Sequence, residues 1–470
     1  MNVVIIGGGP GGYTAALQAA NHGLSVTLVE RGGIGGTCLN VGCIPTKSLL
    51  ETASSWSKAV YHGWLKESTM PDSHWQEAQK QKQAVVKQLT TGVKTLLKGA
   101  GVRTVTGTAR FVSENEVIVE DEGVKHSITF DRVIIATGSR VSLPQIDGAD
   151  QPGVYTSDSI LAIEQIPRRL VIVGGGVIGL EFASLFQQLA THVDIVEFTD
   201  EILPRFDVKT VTVLKRLLLM QGISFHTRST VQRIERSSTT RDLKVIVRGS
   251  NDALFSLDAD AVLLAVGRSP NTDSLHLEKI GVQTDRERIL VNQHCQSSAV
   301  NVYAIGDCSN PVMLAHAAMS DAHAAVDHIV GHAGFRKSRF LIPQCIYSQP
   351  ELASVGMTEE EAKQAGVLYE VSEVRMTANG KALVAETDGV CRILSEQGTG
   401  MILGVHMVGP HVTELIQEAT LALELEATVR ELVQTIHAHP TVSEVIHEAA
   451  LVTIGHPVHV PKKRKEGIPL

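Results

Sequence analysis

The stretch NVVIIGGGPGGYTAALQAANHGLSVTLVE, residues 2–30, decides the fold of the amino-terminal part of the chain. Its pattern predicts an apolar strand, a glycine turn, a helix of small residues and a second strand. Gly7, Gly9 and Gly12 fit the pattern G-x-G-x-x-G, and Glu30 ends the second strand. Small residues permit a tight turn and the close approach of a pyrophosphate to the helix start, and the carboxylate accepts hydrogen bonds from a ribose. The stretch therefore predicts a dinucleotide-binding unit.

A second stretch, RLVIVGGGVIGLEFASLFQQLATHVDIVE at residues 169–197, repeats this pattern with Gly174, Gly176, Gly179 and Glu197. In both copies the acidic residue lies 23 positions after the first glycine. One such fingerprint is weak evidence, because glycine turns after strands also occur for packing alone. Two copies with the same spacing predict two dinucleotide sites. At the second site we expect NAD rather than NADP, since Glu197 would repel a 2′-phosphate and no arginine immediately follows it.

Composition and charge narrow the class of protein. A chain of 470 residues is too long for one core. A hydrophobic content of 43% and a charged content of 20% are typical of a soluble globular protein. The net charge of −8 argues against a nucleic-acid partner. No apolar run reaches the ~18 residues that cross a bilayer, so no membrane partner is expected. The apolar run VVIIGGG begins after two residues, which leaves no room for a targeting peptide, so a cytoplasmic protein is expected unless a presequence was removed before this numbering begins.

The stretch GGTCLNVGCIPTKSLL, beginning at Gly35, contains two cysteines separated by four residues. An α-helix rises ~7.5 Å over that distance, beyond the ~4.4–6.8 Å that the Cα atoms of a disulfide usually span. Either Cys38 and Cys43 are unrelated, or Asn40 and Gly42 let the chain turn tightly enough to bring the sulfurs together. A C-x4-C pair without a second pair is a poor zinc site, and a reducing cytoplasm disfavours structural disulfides. The sequence therefore favours a redox role for this cysteine pair over a zinc site or a structural disulfide.

Four motifs in order give the chain its resemblance to a known family: GGTCLNVGCIPTK, the paired glycine fingerprints, AIGD at 304–307 and HAHPTVSE at 437–444. Over nearly its whole length it resembles the flavoprotein disulfide reductases, the class I pyridine nucleotide-disulfide oxidoreductases. The resemblance implies an α/β fold with two Rossmann-like domains, for FAD and NAD, and an α+β carboxy-terminal dimerisation domain. It also implies a homodimer whose active site draws on both subunits. The expected division is 1–150 for the first part of the FAD domain, 151–270 for the NAD domain, 271–340 for a central domain that completes the FAD site, and 341–470 for the interface domain with a basic tail.

By the same resemblance, Cys38 and Cys43 form a redox-active disulfide, in which Cys38 exchanges with substrate and Cys43 contacts the flavin. Pro45 suits the first turn of a helix, so Cys43 is expected just before a helix N-terminus, where a thiolate is favoured. Lys47 and Glu181 match an ion pair near the reactive edge of the flavin. The expected FAD contacts are Gly7, Gly9, Gly12, Glu30, Gly138, Gly306, Asp307 and Ala315, the last at the start of a helix predicted over 313–330. The expected NAD contacts are Gly174, Gly176, Gly179, Glu197 and Gly267.

Oxidation of a dithiol needs a base, because the attacking species is a thiolate. His439 matches the base of the family, and Glu444 matches the carboxylate that orients it. His437 lies two residues away, but His439 is the histidine that precedes proline in the motif. The resemblance implies a cis peptide bond between His439 and Pro440.

The reaction implied is the oxidation of a dihydrolipoyl group on a lipoylated carrier protein, with reduction of NAD. The carrier could belong to a 2-oxo-acid dehydrogenase complex, be a glycine-cleavage H protein, or be a similar protein. The alternatives are a glutathione-, mycothiol- or mercuric-reductase-like enzyme and a flavin-bearing binding protein without catalysis. Against the glutathione-reductase type, Val177 stands where that group typically has tyrosine; against the mercuric type, the carboxy terminus has no second cysteine pair.

Four other cysteines, Cys295, Cys308, Cys345 and Cys391, have no metal-ligand spacing, so we expect buried small hydrophobic residues and no metal site. The tail PKKRK at 461–465 is expected to be a solvated terminus, with docking of an acidic lipoyl carrier as the alternative.

Overall fold

The computed structural model describes residues 1–237 and 242–461. The basic stretch 461–465 therefore lies, apart from Pro461, outside the described residues. The α-helices of the described chain are α1 Pro10–Asn21, α2 Gly36–Val41, α3 Cys43–Tyr61, α4 Asp72–Gly99, α5 Val177–Gln187, α6 Val208–Met220, α7 Ala315–Ile329, α8 Glu359–Gln364, α9 Gly380–Val384, α10 Val412–Glu424, α11 Val429–Gln434 and α12 Glu444–Thr453. The strands are β1 Asn2–Ile6, β2 Ser25–Glu30, β3 Arg103–Thr106, β4 Thr108–Ser113, β5 Glu116–Asp121, β6 Val124–Thr129, β7 Arg132–Ile135, β8 Ser139–Val141, β9 Val154–Thr156, β10 Arg169–Val173, β11 His192–Val196, β12 Ser224–His226, β13 Thr230–Arg236, β14 Leu243–Arg248, β15 Leu254–Ala259, β16 Ala261–Leu264, β17 Arg268–Pro270, β18 Thr284–Asp285, β19 Arg288–Ile289, β20 Val302–Ala304, β21 Gln344–Ile346, β22 Glu351–Gly356, β23 Tyr369–Arg375, β24 Val390–Glu396 and β25 Ile402–Gly409.

The amino-terminal sheet is parallel, with strand order β20-β7-β1-β2-β3. Its central strand β1 is buried from Val3 to Ile6, as expected for an apolar run covered on both faces. Helix α1 packs against α7 through alanines of both helices, and these small side chains allow a close approach. Helix α7 begins at Ala315 and not at Met313, whose φ of +53° is not helical.

The second sheet repeats this arrangement with strand order β12-β11-β10-β16-β9, again parallel. Its fingerprint stretch forms β10, α5 and β11, just as the first forms β1, α1 and β2. The chain passes between the two units at β8 and β17, which pair antiparallel. The two-domain repeat inferred from the glycine patterns is therefore the architecture of the chain.

Each parallel sheet is joined by a small antiparallel sheet, β4-β5-β6 in the first unit and β13-β14-β15 in the second. Alternating patterns with few helix signals over 102–134 and 230–266 predict sheet additions within the nucleotide units. Those ranges also include all or most of β3, β7 and β16, which are strands of the parallel sheets. The alternation of short strands predicted strand content correctly, but it could not assign each strand to a sheet.

The carboxy-terminal domain is an antiparallel sheet of order β21-β22-β25-β24-β23, with α10 packed on β22 and β25 and α12 on β23 and β24. The helical period of VTELIQEATLALELEATVRELVQTI predicts that residues 412–436 are helical. This stretch forms two helices instead, because the chain restarts at Thr428, whose capping box with Glu431 fixes a new helix N-terminus.

The glycine turns are fixed by close approach of backbone to backbone. A Cβ atom on Gly12 would lie 1.8 Å from the carbonyl oxygen of Gly7, and one on Gly179 would lie 2.1 Å from that of Gly174. Gly7 and Gly174 adopt φ values of +109° and +115°, which favour glycine. The third glycine of each fingerprint thus seats the helix on its strand.

We predict that Gly12→Ala destabilises the protein and lowers its FAD content, because the added methyl group overlaps the Gly7 carbonyl. Overpacking of this kind costs about 1–3 kcal/mol. The matched control is Gly92→Ala in α4, where a Cβ meets nothing within 4 Å, and where alanine is favoured over glycine by about 1 kcal/mol in a helix. Urea unfolding compares the variants; equal stability of Gly12→Ala and wild type would contradict the packing argument.

Candidate redox site

The cysteine stretch is broken into two helices at Gly42. Helix α2 ends at Val41 and α3 begins at Cys43, while Gly42 between them has φ −142° and ψ −114°. A Cβ on Gly42 would lie 2.9 Å from the carbonyl oxygen of Thr37, so the break is built for glycine. Asn40 donates hydrogen bonds to carbonyls of the preceding turn, including that of Gly36 at 2.9 Å. Of the two alternatives left open by the sequence, the tight turn is the one that occurs.

The break brings the side chains of Cys38 and Cys43 into hydrogen-bonding contact. The hydrogen bond from Cys38 lowers the pKa of Cys43 most, and the charge of Lys47 lowers it too; against the opposing effects of burial and Glu181, the net result is a pKa of about 7. The same contact, together with burial, raises the pKa of Cys38. Cys43 is the first residue of α3, where we had expected it just ahead of the helix. Partial positive charge at the helix N-terminus also favours a thiolate there.

Lys47 and Glu181 form an ion pair between α3 and α5. Lys47 Nζ lies 2.8 Å from Oε1 and 2.7 Å from Oε2 of Glu181, whose side chain is only 7% exposed. Lys47 follows Cys43 by one helical turn, so both face the same side of α3. The ammonium therefore neutralises a buried carboxylate and also acts on the Cys43 sulfur.

Glu30, the last residue of β2, and Glu197, the residue after β11, are held in the same way. Glu30 accepts hydrogen bonds from the backbone N–H groups of Gly8 at 2.5 Å and Gly32 at 2.6 Å. Glu197 accepts from Gly175 at 2.5 Å and from Thr199 at 2.7 Å. A carboxylate has about four acceptor positions, so each retains capacity for ribose hydroxyls.

The two fingerprint helices differ in how open their N-termini are. A Cβ on Gly176, the N-cap of α5, would meet nothing within 4 Å, so the region at this helix N-terminus is open. At the start of α1, a Cβ on Gly36, the first residue of α2, would lie 2.6 Å from the Cα of Gly9, so α2 begins in close contact with the glycine turn. Open N–H groups at helix N-termini suit pyrophosphate.

Asp307 lies in a short 3-10 turn after β20, near the start of α7. Ser139 Oγ donates to Asp307 Oδ2 at 2.6 Å, and Arg268 Nε donates to Ser139 Oγ at 2.8 Å. Ser139 and Arg268 directly follow Gly138 and Gly267, two glycines that the sequence assigned to cofactor contact. Sequence reasoning missed both side chains, although their position after those glycine turns was a usable signal.

His439 and Glu444 form a second cluster, in the carboxy-terminal domain. His439 Nδ1 lies 2.9 Å from Glu444 Oε1, and the His439–Pro440 peptide is cis, as the resemblance implied. The backbone N–H of Thr441 binds Glu444 Oε2 at 2.9 Å, and this bond and then His439 lower the pKa of Glu444. The His439 side chain is 81% exposed, and within the described residues it makes no hydrogen bond or ion pair with either cysteine.

His437, the neighbouring histidine, has a different environment. Its side chain is 6% exposed and its Nε2 lies 2.8 Å from Glu418 Oε1. The hydrogen bond to Glu418 raises the pKa of His437 above its ordinary value. The His437 imidazole is buried and paired with Glu418, which is typical of a structural role, whereas the His439 imidazole is accessible from solvent.

The chain thus combines two dinucleotide folds with a thiol pair, one member of which is a stabilised thiolate, and with a separate imidazole–carboxylate pair. These features are typical of an oxidoreductase that couples a dithiol to dinucleotide cofactors. The family models agree. Residues 1–322 match the pyridine nucleotide-disulphide oxidoreductase model, and residues 342–450 match the dimerisation domain of the same group. The chain belongs to the pyridine nucleotide-disulphide oxidoreductase family.

Individual relatives cover almost the whole chain. Mitochondrial dihydrolipoyl dehydrogenase of Pisum sativum is 40% identical over 98% of this chain and 92% of its own. Dihydrolipoyl dehydrogenase of Bacillus subtilis is 40% identical over 98% of this chain and 100% of its own. Among solved structures, the HOCl-induced flavoprotein disulfide reductase RclA of Escherichia coli superposes with a TM-score of 0.86 at 29% identity, covering 96% of this chain and 99% of RclA.

The predictions of family, fold class and enzyme type are thereby confirmed, and the protein is a flavoprotein oxidoreductase with sites for FAD and NAD. Its dimerisation domain makes it a homodimer. Within 1–237 and 242–461, no group of three or more potential ligand side chains is placed to hold a metal ion. In the same part of the chain, every helix is too short or too polar to span a membrane.

We predict that Lys47→Gln raises the pKa of Cys43 above about 7, because the positive charge that stabilises its thiolate is lost. It should also lower the free energy of unfolding by about 2 kcal/mol, since Glu181 keeps its charge without a cation. The control is Lys58→Gln, an exposed lysine of the same helix. Alkylation of Cys43 as a function of pH, read by peptide mass spectrometry, checks the first effect; an unchanged midpoint would refute the role of Lys47.

Proposed function

We propose that this protein is a dihydrolipoyl dehydrogenase, which oxidises protein-bound dihydrolipoamide and reduces NAD. The observation that carries the proposal is the Cys38–Cys43 contact, with a stabilised thiolate on Cys43, in a chain 40% identical over 98% of its length to dihydrolipoyl dehydrogenases. Because the chain also resembles RclA at 29% identity, the activity of another disulfide reductase is the second and weaker candidate function. The division of the chain at 150, 270 and 340 belongs to the same proposal.

The first nucleotide unit holds FAD, through Gly7, Gly9, Gly12, Glu30, Gly138, Gly306, Asp307 and Ala315. The second holds NAD, through Gly174, Gly176, Gly179, Glu197 and Gly267. Bound FAD supplies two-electron transfer between the cysteine pair and the nicotinamide. Glu197 selects NAD, because its carboxylate would repel the 2′-phosphate of NADP. Asp307 is oriented for its contact by Ser139 and Arg268.

The dithiol half-reaction follows from the chain's own groups. In the oxidised enzyme, a substrate thiolate attacks Cys38 Sγ, the Cys38–Cys43 bond breaks, and Cys43 leaves as a thiolate. His439 removes the proton of the second substrate thiol, and that sulfur attacks the first substrate sulfur. The cyclic disulfide of lipoamide forms and Cys38 is released, so the substrate loses two electrons and the cysteine pair gains them. The low pKa of Cys43 makes it the better leaving group.

His439 of each subunit serves the cysteine pair of the other subunit. Two facts support this: His439 is 81% exposed on the domain that matches the dimerisation model, and its own chain's cysteines are not among its hydrogen-bond or ion-pair partners in the described residues. Glu444 fixes the imidazole by accepting at Nδ1, which leaves Nε2 as the base. The imidazole tautomer is thus set by the carboxylate.

The macromolecular partner is a lipoylated carrier protein, of a 2-oxo-acid dehydrogenase complex, the glycine-cleavage system or a similar assembly. We propose the cytoplasm as its location, a reducing compartment that suits a working dithiol. The name of the pea relative shows that members of this family also work in mitochondria.

The test of the proposed function measures turnover with three substrates. Reduced lipoamide is assayed with NAD as the electron acceptor, and glutathione disulfide and mercuric ion are each assayed with NADH and with NADPH as the electron donor. We expect turnover with lipoamide and NAD only. Cys43→Ser should retain yellow FAD but lose lipoamide oxidation, because the pair can no longer form a disulfide. Preferred turnover of glutathione disulfide or mercuric ion would overturn the assignment, and substantial lipoamide turnover by Cys43→Ser would refute the electron path.

We predict that His439→Gln lowers kcat for dihydrolipoamide by about 10²–10⁴-fold, the usual contribution of general-base catalysis. His437→Gln is the matched variant, since this histidine is paired with Glu418 and has no place in the reaction. Its kcat per bound FAD should stay within a few-fold of wild type. A larger loss in His437→Gln than in His439→Gln would reverse the assignment of the base.

A further inference from the structure

Tyr347 lies where three parts of the chain meet. Its ring centroid is 4.5 Å from Lys47 Nζ, and its backbone N–H donates to Glu181 Oε1 at 3.2 Å. Lys47 belongs to α3 of the first nucleotide unit, Glu181 to α5 of the second, and Tyr347 follows β21 of the carboxy-terminal domain. The third domain of the same chain therefore contacts both members of the ion pair beside Cys43.

The turn that carries Tyr347 is anchored on both sides. Ile346, just before it, is fully buried and belongs to the hydrophobic cluster that includes Leu49 of α3 and Phe186 of α5. After it, the backbone N–H of Gln349 donates to Ser184 Oγ at 2.9 Å. The tyrosine ring thus projects from a fixed backbone, as a group that positions another group must.

The contacts of Lys47 explain why a ring is needed there. An ammonium has three N–H donors on a flexible four-carbon stem. Glu181 takes donors on one side of Nζ, and the face of the Tyr347 ring attracts the cation from another. Because the Lys47 side chain is still 31% exposed, solvent competes for it. Without the ring, the ammonium has room to turn toward water and away from the cysteine pair.

We propose that Tyr347 is a positioning residue of the redox site, whose ring and backbone N–H hold Lys47 and Glu181 so that the ammonium stays beside the Cys43 sulfur. The proposal rests on the proposed function in that it takes Cys43 as the working thiolate. The proposal adds a second role for the carboxy-terminal domain. This domain supplies His439 to the other subunit, and it also stabilises the Lys47–Glu181 ion pair of its own subunit.

The charged neighbours of both groups are defined. Cys38, Lys47 and Glu181 act on Cys43, and Lys47 favours its thiolate while Glu181 opposes it. Cys345, Glu181, Glu414 and Glu351 act on Tyr347. Burial, with these groups, raises the pKa of Tyr347 to about 12, so its phenol stays neutral where Cys43 titrates. A change in Cys43 titration after substitution of Tyr347 therefore reports on the position of Lys47.

The test measures alkylation of Cys43 by iodoacetamide across the pH range around 7, in a Cys38→Ser background that retains a hydroxyl donor at position 38. The rate is read from the Cys43 peptide by mass spectrometry, so the other cysteines do not interfere. Tyr347→Leu and Tyr347→Met remove the ring, and Tyr347→Phe keeps its face as the matched control. We expect the Leu and Met variants to slow alkylation at neutral pH by about three- to tenfold and to shift the midpoint upward. The Phe variant should match the background.

Identical midpoints in all variants would overturn the proposal, and so would a Phe variant that behaves like Leu. Thermal unfolding of each variant is measured in parallel. If Tyr347→Leu does not fold, the Tyr347→Met variant provides the test. If neither variant folds, Tyr347 is a residue of the hydrophobic core and the proposal is overturned. The readout needs no lipoyl substrate. If the midpoint shifts in a protein that does not oxidise dihydrolipoamide, the role of Tyr347 stands and the proposed function falls.

Discussion

The contact between Cys38 and Cys43 across the break at Gly42 is the interaction on which the proposed dithiol chemistry of this protein depends. A continuous helix would separate the two sulfurs along its axis. The break instead allows one thiol to donate to the other, and this hydrogen bond is the largest of the effects that together lower the pKa of Cys43 to about 7. Helix α3 adds its N-terminal field and carries Lys47 one turn further on. Local backbone geometry thus prepares the thiolate, and the flanking domains stabilise it.

Around this contact, the fold brings charges from distant parts of the chain to one place. Lys47 and Glu181 are 134 positions apart, and their ion pair joins the two nucleotide units beside the cysteines. Asp307 is held through Ser139, 168 positions away, and Ser139 is held in turn by Arg268. The Lys47–Glu181 pair thus joins the two nucleotide units, and the Ser139–Arg268 contact joins β8 to β17. The relative placement of the domains and the electrostatics of the site are therefore coupled.

Much of the site could be predicted from the sequence, because its parts are local patterns. The glycines and the carboxylate of each fingerprint lie within about one β-α-β unit. Steric clashes exclude any residue larger than glycine at four of these positions, Gly7, Gly12, Gly174 and Gly179. The His439–Glu444 pair spans five positions and was found through its motif. In contrast, Tyr347 was not predicted, since nothing near it in the sequence indicates which distant side chains it contacts. The place of Ser139 after Gly138 signals a position near the cofactor, but not its contact with Asp307.

The sequence by itself determined the two dinucleotide-binding folds, because short-range sterics and spacing are encoded within single β-α-β units. Through motifs that resemble those of the family, it also indicated the cysteine pair and the histidine–glutamate pair. It left open whether the cysteines meet, and only the turn at Gly42 in three dimensions settled that. Tertiary structure also decided that His437 is buried against Glu418 while His439 is exposed, and that Lys47 lies between Glu181 and the Tyr347 ring. Burial and long-range charge are properties of packed domains, so residue type alone does not specify them.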